Sequence, residues 1–439
     1  MQKGMKVVGE EMKISIVKCY DTMEIQEKVD TIFEENISLF PVSKSAHILI
    51  KPNHNSNMNA LTGNTTDLRV LAAIIRSLQK MGYKNIAIGE GTSSGFYHNK
   101  INVFSRLKTA ELARKFDVEI IDFNYSDFEV VDFGDGLKAK VAKECLNVDF
   151  FIDVPKIKMH AEAGMTCALK SIVGCLVGLD KRKIHNKKYF TNILKLNEKI
   201  KPHFYVVDGL IAMEGNGPSA GTPVKMDLIL AGTDPMLIDL AIAKLIGYEY
   251  DEVPYLRLAK KLGKINNEYY EHVNHLNLDD MKKSLKRPNP NIFFVIINNP
   301  RTFRFFTRLR YSSLFDWFFS LKVVIKVLHF LHFTQDLYVG EEAEIDRIII
   351  DKENCNNCKE CAKYCPMDLD LPDQLETDEK CIKCLYCYCV CPRKAIRLEG
   401  KLGFFVSQID RYDEIIREMI TKNMRTRGVQ YLADAHTTH

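Results

Sequence analysis

Nine of the thirteen cysteines in this chain lie between Cys355 and Cys391, and eight of those nine spell one motif twice. The first run is Cys355-x2-Cys358-x2-Cys361-x3-Cys365-Pro366, and the second is Cys381-x2-Cys384-x2-Cys387-x3-Cys391-Pro392. Three thiolates at this spacing wrap one face of an iron–sulfur cubane, because a tight loop turns each sulfur inward. The fourth ligand comes from the other run. The spacing therefore predicts two 4Fe-4S clusters with crossed ligands. Cys355, Cys358, Cys361 and Cys391 hold one, and Cys381, Cys384, Cys387 and Cys365 hold the other. Tetrahedral zinc asks for only four thiolates, usually from two CxxC pairs, and two unbroken runs speak against it. Cys389 matches no ligand position and reads as a packed thiol. Cys19, Cys145, Cys167 and Cys175 read as small buried apolar residues. Two adjacent clusters move single electrons, so electron transfer is the chemistry this region predicts.

A second set of chemically capable residues is spread along the first 260. Lys51 and Asn53 follow the apolar run AHILI, Glu90 follows NIAIG, Lys156 and Lys158 follow FFIDVP, and Asp208 closes FYVVD. In open α/β sheets ligands bind outside the carboxyl ends of the strands, so these groups are expected to converge on one crevice. The bland alternative is that polar residues merely end buried strands. The stretch 155–188 carries eight Lys or Arg against Glu162 and Asp180. Within it, Gly164 and Thr166 precede a predicted helix bearing Lys170, a setting that suits a phosphate or carboxylate. Lys156, Lys158, His160 and Lys170 are read as functional, whereas Lys181 to Lys188 read as an exposed basic loop. Asp208-Gly209 and Glu214-Gly-Asn-Gly-Pro218 place two carboxylates beside a Gly-rich loop, able to position a metal, an amine or a proton. No Walker motif and no GxGxxG after a strand is present, and His54, His160 and His185 lack a zinc spacing.

The elements that must carry these groups alternate. Short apolar strands (AHILIK, NIAIG, VEIID, VDFFIDV, HFYVVD, MDLILAG) are interleaved with amphipathic helices. That order predicts an α/β layered domain with a largely parallel sheet. The clearest helix spans Asp67 to Met81, with Leu68, Leu71, Ala72, Ile75 and Leu78 on one face, Thr66 as N-cap and Gly82 beyond its end. Another begins with Pro235 at its first position after Asp234 and closes at Gly247. The chain divides into a large α/β domain over 13–285, an aromatic and basic connector over 286–344, a small α+β two-cluster domain over 345–400, and a C-terminal helix and tail over 401–439.

Apolar residues at 46% and charged residues at 27% predict a chain with a substantial core, and a formal charge of +4 gives no argument for nucleic acid. The N-terminus mixes Lys and Glu with no continuous apolar stretch, so neither a signal peptide nor an anchor is expected, and the protein reads as cytoplasmic. From Phe303 to Phe333 ten aromatic residues accompany a single acidic one, Asp316. Lys322 and Lys326 interrupt the apolar run, so no transmembrane helix is expected there. A helical connector is preferred to peripheral membrane contact or a partner-docking surface.

Several of these stretches resemble the domain of unknown function 362 family: LIKPN, TTDLRVLAAIIRSLQKMGYKNIAIGEG, VPKIKMHAEAGMTCALKSIVGC, VVDGLIAMEGNGP and AGTDPMLIDLAIAKLIG. The resemblance covers about residues 13–262. It implies a C-terminal bacterial-type ferredoxin-like module, in agreement with the cysteine spacing. The family's KxH…GxTxAxK segment matches Lys158, His160, Thr166 and Lys170, and its acidic loop matches Asp208 and Glu214. With Lys51, Asn53, Glu90 and Lys156 as substrate-binding groups, the expected function is an oxidoreductase. It passes electrons from two 4Fe-4S clusters to a small anionic substrate or cofactor in the large domain. The alternative is a non-enzymatic ferredoxin-like carrier whose large domain docks a redox partner protein.

Overall fold

The structure, a computed structural model, describes residues 13–289, 338–375 and 379–436, with side chains described as far as residue 422. The predicted strands form at the apolar runs: β1 (Ile14–Lys18), β2 (Ile48–Pro52), β3 (Ile86–Glu90), β4 (Glu119–Asp122), β5 (Phe128–Asp132), β6 (Lys138–Ala142), β7 (Phe150–Val154), β8 (Lys156–His160), β9 (Gly164–Thr166), β10 (Phe204–Glu214) and β11 (Thr222–Gly232). All but the β5–β6 hairpin join one sheet, in the order β1-β11-β10-β7-β2-β3-β4, with β8 on β10 and β9 on β8. The centre from β10 through β4 is parallel, while β1, β11 and β9 pair antiparallel at the margins. The expected α/β layered architecture is thus borne out.

Strands β2, β3 and β7 are buried at every position, as parallel strands covered on both faces must be. Their side chains alternate between two cores. Ile48, Ile50, Ile86, Ile88 and Ile152 face one, and Leu49, Ala87 and Phe151 face the other.

Helix Leu68–Lys80 lies over the first of these cores. It starts one residue later than expected and its N-cap is Asp67, whose carboxylate accepts from the Arg69 N–H. Thr66 is drawn away, because its hydroxyl accepts from Asn53 N and donates to Val154 O. The helix is also more buried than one apolar stripe requires, since Val70, Ala73 and Ile74 are covered as well. Helix Pro235–Leu245 has Asp234 as N-cap, as its sequence indicates.

Two strand ends differ from expectation. Asp208 does not close its strand: β10 runs on to Glu214 through an irregularity at Gly209–Ile211, held on its far half by β11 and β8. Lys156 and Lys158 do not leave the sheet either, because they begin β8, a strand of five residues. The helix bearing Lys170 is only Ala168–Ser171.

The cysteine region folds around an antiparallel pair, β12 (Glu344–Ile350) with β13 (Ile396–Lys401), enclosing two short helices, Glu360–Lys363 and Tyr386–Val390. Helix Phe405–His436 follows. This unit is welded to the large domain. Tyr364, Leu385, Tyr386, Phe405 and Tyr412 share one hydrophobic core with Leu68, Leu71 and Ile75. Arg69 stacks on the Tyr364 ring at 4.4 Å, and Arg76 donates to Pro366 O at 2.8 Å. The aromatic segment expected to act as a connector lies mostly within residues 290–337, outside the described residues. Among the described residues no helix is long and apolar enough to cross a membrane.

Candidate functional site

The two cysteine loops repeat each other in backbone as well as sequence. Asn357 and Lys359 flank Cys358 with φ of 52° and 59°, and Lys383 and Leu385 flank Cys384 with 52° and 64°. Non-glycine residues adopt this left-handed region at a conformational cost, so its repetition on both sides of both central cysteines needs a reason. Such turns point successive backbone N–H groups into a concavity that suits an anionic group, iron–sulfur clusters included. The thiols also sort into two sets. Cys361 has Cys358 and Cys391 as electrostatic neighbours, and Cys387 has Cys384, Cys381 and Cys365 first among its neighbours. Cys365, Cys381, Cys384 and Cys387 line one hollow, walled by Ile348, Leu371 and Leu375. Cys391 thus lies near Cys358 and Cys361, and Cys365 near Cys381, Cys384 and Cys387, as crossed ligation requires; these contacts do not include Cys355.

Among the described residues no three Cys, His, Asp or Glu side chains converge on a point fit for a single ion. A cubane does not require that, since each thiolate meets its own iron. The residues present therefore fit two 4Fe-4S groups. The sets differ in exposure: Cys355, Cys358, Cys361 and Cys391 are all half-buried, whereas Cys365 and Cys387 are buried. Cys389, outside both sets, is buried and its thiol is pushed up to about 12 by that burial.

The polar residues of the large domain do gather at the carboxyl ends of the parallel strands, but inside the protein. Lys51 Nζ reaches Glu90 at 3.2 Å, Asp153 at 3.3 Å and the Ser171 hydroxyl at 3.1 Å, all buried. Lys156 pairs with Asp208 at 2.7 Å with neither side chain exposed, and the same Asp208 oxygen accepts from Asp67 N at 2.7 Å. Lys158 has no carboxylate. Its Nζ meets Asn53 Oδ1, Asn55 Oδ1 and the Asn64 carbonyl, each at 2.7 Å. Burial, Lys170 and Lys156 push its pKa down. Yet three acceptors at that distance take three N–H bonds, which only the ammonium supplies.

Alternation along β8 puts Lys156, Lys158 and His160 on one face, and the β8–β9 register sets Thr166 opposite Lys158. His160 Nδ1 accepts from Glu162 N and Ala163 N, both at 3.1 Å, which leaves Nε2 to carry the ring proton. Burial, then Lys170, His185 and Lys158, hold this imidazole well below its usual pKa. Burial alone is the main reason that Lys170 falls to about 8, with Glu162 opposing it. Glu214 is not part of this group: its carboxylate binds Lys286, through the backbone N–H at 2.9 Å and Nζ at 3.4 Å.

One loop connects the lysines to the cysteines. Residues 53–67 give Lys158 its Asn53, Asn55 and Asn64 acceptors on one side. On the other, Asn59 Nδ2 donates to Cys384 O at 3.3 Å, and Leu68 N donates to the Tyr386 hydroxyl at 3.2 Å. Gly63 lets this loop lie on β10: its φ is 78°, and a Cβ there would stand 2.3 Å from the Ala212 carbonyl oxygen. Where the loop meets the module a cavity of about 380 Å³ opens at the seam. Asn57, Thr65 and Thr66 line it from the large domain and Cys384 and Tyr386 from the module. Its charged lining is Lys100, Arg106, Lys108 and Lys383 against Glu342, which Arg106 engages at 2.7 Å.

Sequence reasoning passed over Asn55, Asn64, Asp67, Asp153, Ser171 and Tyr386, and it assigned Lys181 to an exposed loop. Lys181 is in fact buried, donating to Asn124 Oδ1 at 2.6 Å and to Leu176 O, and burial lowers its pKa to about 8. The available signal was the asparagine density of KPNHNSNMNALTGNTT, five in sixteen residues, too many for an ordinary loop.

Residues 48–244 match the family model described as "Domain of unknown function (DUF362)", so the resemblance read from the motifs is borne out over the sheet region. The thylakoid-associated protein sll1697 of Synechocystis sp. (strain ATCC 27184 / PCC 6803 / Kazusa) is 26% identical over 234 residues, 51% of this chain and 70% of that protein. The lactate racemase apoprotein from Thermoanaerobacterium thermosaccharolyticum aligns with a TM-score of 0.35 and 14% identity, covering 50% of this chain and 53% of that one. The present chain thus spans about half the length of that racemase.

Proposed function

We propose that this chain is an iron–sulfur electron-transfer protein, an oxidoreductase that delivers electrons to a small anionic acceptor seated in the seam cavity. The observation that carries this reading is the lining: Cys384 on one wall, and on the facing wall Lys100, Arg106 and Lys108 of the large domain. Two 4Fe-4S clusters, when bound, supply single-electron transfer. The chain's own residues do the rest. The half-buried set of Cys355, Cys358, Cys361 and Cys391 stands where a redox partner protein can approach, and the other set reaches the cavity through Cys384. Lys100, Lys108 and Lys383 attract an anion, and Tyr386 and Phe405 exclude water from the module side of the cavity. Five cysteines outside the ligand sets and two oxygen-sensitive clusters fit a reducing cytoplasm.

Anaerobic iron and sulfide analysis of the purified chain should give about eight of each. The dithionite-reduced protein is then reoxidised in a stopped-flow instrument by ferricyanide, an anion, or by hexaammineruthenium(III), a cation. Ferricyanide should react faster at low salt, and Lys100→Glu with Lys108→Glu should slow it about tenfold or more while sparing the cationic oxidant. Rates that ignore both substitutions would instead favour the non-enzymatic carrier that docks a redox partner.

A further inference from the structure

Lys51 and Lys156 of the sheet are paired directly with buried carboxylates. Lys51 meets Glu90 and Asp153, Lys156 meets Asp208, and Lys181 bonds neutral oxygens with Glu90 and Asp122 nearby. Lys158 bonds only neutral acceptors, and the like charges of Lys170 and Lys156 act on it more strongly than the opposite charge of Glu90. A buried ammonium without a counter-charge is expensive, by several times the worth of an ordinary hydrogen bond. The groups around it are left without partners as well. Both ring nitrogens of the fully buried His54 lack any hydrogen bond, and so does the hydroxyl of Thr166, which is 2% exposed and stands opposite Lys158 on the ribbon. Lys170 Nζ is close enough to Lys158 and His160 to depress both, and among the described residues no acceptor reaches it. Native proteins leave few buried polar groups unsatisfied, so the buried His54 ring and Thr166 hydroxyl, beside Lys158 and the half-buried Lys170, need a cause.

We propose that Lys170, Thr166 and His54, gathered around the ammonium of Lys158, form a binding site for a small oxyanion, a carboxylate or a phosphate. The anion offsets the surplus positive charge of Lys158, Lys170 and Lys156. Its oxygens accept from Lys170 Nζ, from the Thr166 hydroxyl and from the N–H of the neutral His54 ring. The asparagines that saturate Lys158 hold its charge in place, so the ion feels it without displacing a bond. This site lies across loop 53–67 from the seam cavity and stands independently of the electron acceptor proposed there.

The test is thermal unfolding of the cluster-loaded full chain in phosphate, in acetate and in sodium chloride of matched ionic strength. At a tenfold excess over its dissociation constant, a bound oxyanion should raise the midpoint by about 2–4 °C over the chloride control. Phosphate and acetate titrated separately distinguish the two sources of oxyanion. Thr166→Val and Lys170→Met should each lose the anion-dependent rise, whatever their own midpoints, because the shift is read within each variant. Loss of the phosphorus-31 line broadening seen with wild type would confirm the phosphate case. An equal rise in chloride, no rise with either oxyanion, or a rise retained in both variants would overturn the proposal.

Discussion

The backbone N–H of Leu68, at the first turn of the helix over the sheet, donates to the hydroxyl of Tyr386 in the second cysteine loop at 3.2 Å. Tyr386 is 2% exposed, so a buried phenol oxygen takes up one of the helix's N-terminal N–H groups. Tyr386→Phe removes the acceptor and leaves a buried N–H behind. The expected loss is about 1–3 kcal/mol of stability. Faster amide exchange at residues 57–68, with iron content unchanged, would locate the damage at the seam; slower or equal exchange would contradict it.

Lys156 and Asp208 form a fully buried pair, and Asp208 also holds the Asp67 and Leu210 N–H groups. Removing one charge strands the other. Lys156→Met should cost about 3–5 kcal/mol by chemical denaturation, whereas Lys156→Met with Asp208→Asn should recover part of that loss. A double variant less stable than the single one would show that the charge itself is needed.

The His54 imidazole is held at about 3, by burial first and then by Lys51 and Lys158. Between that value and its ordinary value near 6.5, the unfolded chain takes up a proton that the folded chain refuses. Stability from this residue is therefore complete above about pH 6.5 and falls as the pH drops, by about 1.4 kcal/mol per pH unit. His54→Gln should flatten that part of the profile relative to wild type between pH 6.5 and 4. Parallel profiles would mean that the ring is solvated.

Cys391 lies with Cys358 and Cys361, although 30 residues of chain separate it from Cys361. Cys391→Ala should lower the iron content from about eight toward four and spare the cluster of Cys381, Cys384 and Cys387. Cys365→Ala should do the reverse. EPR of the two reduced variants would then show two different isolated clusters; the same surviving signal in both would rule out the crossing.

The strands were legible because β2, β3 and β7 open on apolar runs and are buried throughout, and the two cysteine runs because their repeated spacing is written in the chain itself. The polar site was legible only as a list. Lys51, Lys156, Lys158 and Glu90 were all marked, but the sequence shows no trace of which carboxylate each lysine meets, since Lys156 and Asp208 are brought together only by the β8–β10 pairing. Strand ends failed at Asp208 for a related reason. The residues after it carry no break that distinguishes a strand leaving the sheet from one that bends at a bulge and continues beside β11. The burial of helix Leu68–Lys80 on a second side depends on a module almost 300 residues away, beyond the reach of any local periodicity.

The shared core of Leu68, Leu71, Ile75, Tyr364, Tyr386, Phe405 and Tyr412 ties the fate of the two halves together. Oxidative loss of a cluster would loosen Tyr364 and Tyr386, and with them the cover over helix Leu68–Lys80. A damaged molecule would thereby expose fresh apolar surface on the half that carries no iron. Were the clusters lost to oxygen, the injury would therefore spread from the cysteine loops to the packing of the large domain.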